Sequence, residues 1–166
     1  MIRAATTADA PAIGELKVLA WRAAYAGFMR ASVLDALDPV QEARDWGEYL
    51  AGLPEEERLW VAELDGEVAG FCRTGLCAEE DDLAEEVGEV FGLYLHPARI
   101  GTGLGRALFG HAVADLVTRG HTPICVYAYQ PNTSAIRFYE QAGFQVDGVV
   151  LVKQDAIGVP EVRLSR

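Results

Sequence analysis

Basic residues are scarce in this chain: 14 lysines and arginines stand against 25 aspartates and glutamates, a formal net charge of −11 over 166 residues. A protein that neutralises nucleic-acid phosphates needs clusters of basic side chains, so this balance argues against a general nucleic-acid binder. Cysteine is scarce too. Cys72, Cys77 and Cys125 make no metal-ligand spacing and leave an odd thiol, so they read as reduced core residues of a cytoplasmic protein. His96, His111 and His121 have no ligand spacing either, and no metal is expected. No apolar run approaches the length of a membrane span, and Met1-Ile2-Arg3 leads into Ala, Thr and Asp rather than a signal-like apolar stretch. A membrane partner is not expected. Linkers, internal repeats and low-complexity tracts are missing as well, so residues 1–166 read as a single domain.

What is present is an ordinary globular composition, 51% hydrophobic and 23% charged, on a chain long enough to bury a core without disulfides or metal. Residues 2–5 read as a short strand. Thr7 to Asp9 then caps a helix whose Ile13, Leu16 and Ala20 share a face. Asp38-Pro39 starts a second helix, with Val40, Ala43, Trp46 and Leu50 along one side and Gly52 at its end. Residues 59–64 and 67–74 are strands joined by the hairpin signal Asp65-Gly66. An acidic stretch (Glu79, Glu80, Asp81, Asp82, Glu85, Glu86, Glu89) reads mostly as a solvated loop. A strand ending at Leu95 follows, then a helix from Gly103 to Arg119-Gly120, a strand over 124–129, a helix from Ser134 to Gly143, and strands near 144–152 and 160–164. The order is β-α-α-β-β-β-α-β-α-β-β.

Two segments carry most of the chemistry. In the first, Val90-Phe91-Gly92-Leu93-Tyr94-Leu95 stops at His96-Pro97 and turns through Gly101-Thr102-Gly103-Leu104-Gly105-Arg106 into a helix. Backbone N–H groups at such a helix start can hold a phosphorylated ligand. The glycines fit neither the dinucleotide fingerprint nor the P-loop. The second segment is Asn132-Thr133-Ser134-Ala135-Ile136-Arg137-Phe138-Tyr139-Glu140-Gln141-Ala142-Gly143-Phe144, which supplies a phenol on a helix. Together they resemble the GNAT superfamily of acyl-CoA-dependent N-acetyltransferases, and the element order matches that family over essentially the whole chain. One departure stands out: where the family usually begins the loop with Arg or Gln, this chain has Ile100, with Arg99 before it.

The resemblance implies an α/β (α+β) GNAT fold: a central mixed, mostly antiparallel sheet of about seven strands, splayed between the fourth and fifth, with helices on both faces. It implies acetyl-CoA as co-substrate, without a metal, and direct acetyl transfer to a primary amine of a small molecule or a peptide or protein N-terminus. A homodimer is a further family trait. The alternative is a non-catalytic acyl-CoA-binding sensor or interaction module.

Carried onto this chain, the family pattern assigns cofactor binding to Gly101, Thr102, Gly103, Leu104, Gly105 and Arg106 for the phosphates, and to Leu93, Tyr94 and Leu95 for the pantetheine arm. Tyr139 would protonate the departing thiolate, and Glu89 would deprotonate the amine through a water. Asn132 reads equally as a helix cap and as a pantetheine contact. Trp21, Tyr25 and Phe28 are candidates for the acceptor wall, whereas Trp46 reads rather as core. The identity of the amine is not legible.

Overall fold

The chain opens with β1 (Ile2–Ala4) and a 3-10 turn, Thr7–Asp9, closed by Asp9, whose carboxylate accepts from the Thr6 N–H at 2.8 Å and from the Arg3 guanidinium at 2.8 Å through each oxygen. This structure, a computed structural model, describes residues 1–77, 86–153, 155 and 157–166. Most of the acidic stretch, Glu79, Glu80, Asp81, Asp82 and Glu85, lies outside the described residues. Three helices follow: α1 (Ala10–Tyr25), a short α2 (Ala31–Asp35) and α3 (Pro39–Ala51). Asp38 caps α3 by accepting from the Val40 N–H at 2.9 Å, with Pro39 in the first turn, where its missing N–H costs nothing. α2 is an addition to the sequence reading; five residues between two longer helices leave no periodicity to detect. Val40, expected on the inward side of α3, is 58% exposed because it sits in the first turn, ahead of the part of the helix whose Trp46 and Leu50 reach the sheet.

β2 (Arg58–Leu64) and β3 (Glu67–Leu76) form the hairpin read from Asp65-Gly66, both turn residues having positive φ (54° and 82°). After β4 (Gly88–Leu95) come α4 (Leu104–Thr118), β5 (Ile124–Tyr129), α5 (Thr133–Gln141), β6 (Gln145–Leu151) and β7 (Glu161–Ser165). The seven strands make one sheet in the order β1-β2-β3-β4-β5-β7-β6. Every neighbouring pair is antiparallel except β4 and β5. These two can be parallel because α4 supplies the crossover between them.

Strand alternation sends successive residues to opposite faces, and each face has its own core. On one face Leu108, Phe109 and Leu116 of α4 pack with Tyr139 and Phe144 over Cys72, Val90 and Val126. On the other, Ile13 and Leu16 of α1 and Trp46 of α3 cover Leu59, Val61 and Phe71. Phe71 and Ile13 are fully buried, and each such side chain stabilises the fold by about 1.5–3 kcal/mol. Among the described residues no helix is long and apolar enough to cross a membrane.

Candidate functional site

The parallel ladder between β4 and β5 is short. It pairs Gly88 with Ile124, Glu89 with Cys125 and Val90 with Val126, and there it stops. The next residue of β4 is the cause. On the other side of the strand, Val90 pairs with Thr74 and Gly92 with Arg73, so Phe91 is an extra residue, a bulge that bends the strand. The Arg73 guanidinium lies over the Phe91 ring at 4.6 Å and is itself held by Glu57 at 2.7 Å, which fixes the bulge. Beyond it β4 stays with β3 while β5 stays with β7. Between them opens a cleft of about 270 Å³.

The β4 wall of the cleft is formed by Leu93, Tyr94 and Leu95, the three residues assigned to this place from sequence. Past Leu95 the chain makes a 3-10 turn, Pro97–Arg99, started by His96, whose Nδ1 accepts from the Ala98 N–H at 3.2 Å. Ile100 lines the cleft and is 65% exposed. Gly101 and Gly103 have φ of 82° and 88°, a left-handed backbone that only glycine adopts without strain, and a Cβ at either would point into open space. Thr102 ties the loop back through its hydroxyl to the Arg99 carbonyl at 2.7 Å. The first intrahelical bond of α4 runs from the Ala107 N–H to the Gly103 carbonyl, so the N–H groups of Leu104, Gly105 and Arg106 come before it and point out of the helix start. The positive end of the helix dipole adds to them. Arg106 is exposed and borders a second hollow of about 560 Å³ between α4 and α5 rather than the cleft itself.

The opposite wall comes from β5 and α5. Asn132 caps α5, its Oδ1 accepting from the Ala135 N–H at 3.3 Å, and it also lines the cleft, so both roles read for it share one position. Tyr139 borders the cleft with only 6% of its surface exposed, its ring 5.3 Å from Phe109 and 5.4 Å from Phe138. Burial, with smaller contributions from Cys72 and Tyr94, raises its phenol well above the ordinary tyrosine range, so it remains a proton donor across working pH.

Of the aromatic residues expected at an acceptor wall, Tyr25 lines the cleft. Trp21 and Phe28 stand behind it, at 5.2 Å and 5.4 Å from its ring, and Phe28 also meets Tyr129 at 5.9 Å. Trp46 packs against Phe71 at 5.3 Å in the core. Tyr127, Tyr129 and Glu161 also line the cleft and were not singled out from sequence. The alternation of Tyr127 and Tyr129 on one strand was a usable signal. Glu161 had none, because its place depends on β7 pairing with β5, where it lies opposite Tyr129.

Glu89 lies below the fork, in the paired part of β4, two residues before Phe91 and in register with Cys125. It is half-buried. Its carboxylate and the Cys77 and Cys125 sulfurs lie within 4.8 Å of one another, a grouping that could in principle ligate a cation. Burial and then the Glu89 charge push the Cys125 thiol up, which opposes the thiolate a metal would require.

Comparison with known proteins agrees with this architecture. The sequence profile of the Acetyltransferase (GNAT) family matches residues 18–144. The mycothiol acetyltransferase of Thermobispora bispora is 38% identical over 86 residues, covering 52% of this chain and 29% of that protein. That of Cellulomonas flavigena is 36% identical over 115 residues, covering 63% and 33%. The matches thus span about a third or less of the length of these relatives. Among solved structures, PaiA N-acetyltransferase from Thermoplasma acidophilum in complex with coenzyme A superposes with a TM-score of 0.75 at 18% identity, over 98% of this chain and 96% of that one. The ribosomal-protein-S18-alanine N-acetyltransferase from Escherichia coli superposes at 0.69 and 19% identity, over 99% and 91%. With a family profile matched over most of its length and the same fold in these neighbours, the chain belongs to the GNAT acetyltransferase family.

Proposed function

We propose that the protein is an N-acetyltransferase that moves the acetyl group of acetyl-CoA directly to a primary amine. The observation that carries this reading is the fork after Val90 and Val126: a cleft with an open helix N-terminus at its mouth and a buried phenol, Tyr139, in its wall. A thioester ligand with a pyrophosphate and a long amide-bearing arm fits those parts. The N–H groups of Leu104, Gly105 and Arg106 hold the phosphates, with Gly101, Thr102 and Gly103 shaping the approach. The β4 edge at Leu93, Tyr94 and Leu95 pairs with the arm as a strand would, and an N–H near Leu95 donates to the thioester oxygen as negative charge develops there. The amide nitrogen of Asn132 reaches the arm while its oxygen caps α5.

The amine nitrogen attacks the thioester carbon, the C–N bond forms and the C–S bond breaks. Tyr139 gives its proton to the departing sulfur. Glu89 takes a proton from the incoming ammonium through a water, because an alkyl amine of pKa about 10.4 is protonated at neutral pH. The ammonium loses two protons on becoming the acetamide: the first leaves through the water and Glu89 to solvent, and the second, shed from nitrogen after attack, restores the one Tyr139 gives to sulfur, so the products are the acetamide, the free thiol and one released proton. Relatives and structural neighbours are named for different acceptors, so likeness alone does not carry an acceptor to this chain. Titration with CoA, followed by melting temperature, together with thiol release from acetyl-CoA over an amine panel, tests the reading. A rise in melting temperature and amine-dependent thiol release support it. No shift at millimolar CoA overturns it.

A further inference from the structure

On the acetyl-transfer reading, the amine enters from the side of the cleft away from α4. Five of the chain's six tyrosines line this cleft. Tyr25 from the end of α1 stands edge-on to Tyr129 at 5.1 Å, Tyr127 lies two residues back on the same face of β5, and Glu161 lies directly across from Tyr129 on β7. Burial holds the Tyr25 and Tyr129 phenols above their ordinary range, so both stay neutral. Glu161 is then the one acidic side chain among the described residues lining the cleft, where no lysine, arginine or histidine stands. Residues 78–85, 154 and 156 contain no basic residue in the sequence, so none of them adds a positive charge.

Two cations stand near Glu161, both outside the cleft lining. Arg163, two residues along β7, donates to Asp147 at 2.6 Å and is outside the cleft lining. Lys153 meets Glu161 at 3.2 Å; the lysine side chain is 54% exposed and the glutamate 15%, so water screens the lysine end of the pair and an incoming ammonium competes with it for Glu161.

We propose that this wall selects a primary amine bearing no carboxylate, an alkyl- or arylalkyl-ammonium, with Tyr25, Tyr127 and Tyr129 as its aromatic walls and Glu161 as the anion that orients its positive charge. Aromatic faces attract an ammonium ion, and a carboxylate beside it strengthens the attraction. The α-carboxylate of a free amino acid would lose water in a cleft whose only formal charge among the described lining residues is also negative, while Lys153, which meets that charge at 3.2 Å, stands outside the lining.

The experiment measures kcat/KM for thiol release with matched pairs, phenethylamine against phenylalanine and cadaverine against lysine, in the wild type, Glu161→Gln and Glu161→Asp, with CoA affinity measured by calorimetry in each. In the wild type each amine exceeds its carboxylated partner by about a hundredfold or more. Glu161→Gln raises KM for the amines about tenfold with CoA affinity unchanged, and Glu161→Asp restores most of the preference. Equal turnover of the pairs, turnover of neither member of any pair, or a preference untouched by Glu161→Gln overturns the selectivity. If CoA binds and any amine is turned over, the acetyltransferase reading stands and only the selectivity falls; if CoA does not bind, that reading falls first. Should Glu161→Gln fail to fold, the wild-type pairs and Glu161→Asp still decide.

Discussion

The Tyr94 ring lies across the backbone of Gly92, so closely that a methyl group on Gly92 would stand 2.6 Å from its Cε2. Phe71 backs the same ring at 4.9 Å, so Tyr94 cannot retreat toward the core. Gly92→Ala is therefore expected to cost about 1–3 kcal/mol in stability and to push Tyr94 into the cleft, weakening CoA binding. Denaturant titration and calorimetry of Gly92→Ala, Tyr94→Leu and the double variant check this. The two substitutions should be strongly non-additive; simple additivity would remove the contact from the account.

Tyr139→Phe keeps the packing against Phe109 and Phe138 and deletes the proton donor. CoA affinity should hold while kcat falls roughly a hundredfold. Because burial raises the phenol, the wild-type rate should show no alkaline fall through the ordinary tyrosine range near pH 10. A break there, or an unchanged kcat in the variant, would return Tyr139 to a packing role.

For Glu89→Gln the rate defect should be greatest at neutral pH and shrink as pH approaches the pKa of the amine, about 10.4, where free base no longer has to be generated. A pH-rate profile of variant and wild type decides it. Equal rates at every pH would transfer proton removal to a water chain alone.

At the loop, Gly103→Glu adds negative charge where the phosphates are to sit, but it also forces a side chain onto a φ of 88°. Gly103→Ala supplies the same strain without charge. Both should lower stability by about 1–2 kcal/mol, while the glutamate alone should also abolish the thermal shift produced by CoA. Equal shifts in the two variants would move the phosphate site elsewhere.

Asp9 links β1 to the start of α1, and the Arg3 guanidinium beside it lowers its carboxyl to about 2. A depressed value means that the folded state prefers the ionised form. The stabilisation is complete above the unfolded value near 3.9 and is lost as pH falls from there toward 2. Asp9→Asn should cost about 1–2 kcal/mol at pH 7, the partial exposure of Arg3 limiting the figure. Near pH 2 variant and wild type should converge in denaturant titrations, and a constant difference across pH would contradict the linkage.

The element order apart from the short α2, the Asp38 cap, the Asp65-Gly66 turn and the positions of Tyr139 and Gly101 to Arg106 were legible in the linear chain. Each rests on neighbours in sequence: helical or strand periodicity, a side chain that satisfies a nearby N–H, or glycine where the backbone must turn left-handed. Tertiary structure decided what depends on strands far apart meeting. The bulge at Phe91 exists only relative to β3, and the fork exists only because β5 follows β7 instead of β4. Glu161 enters the cleft only because the last strand inserts between β5 and β6 and brings it opposite Tyr129. Sequence periodicity determines which face a residue takes within its own strand, whereas cross-strand pairing determines what stands beside it, and that pairing is set by long-range packing that no local pattern records.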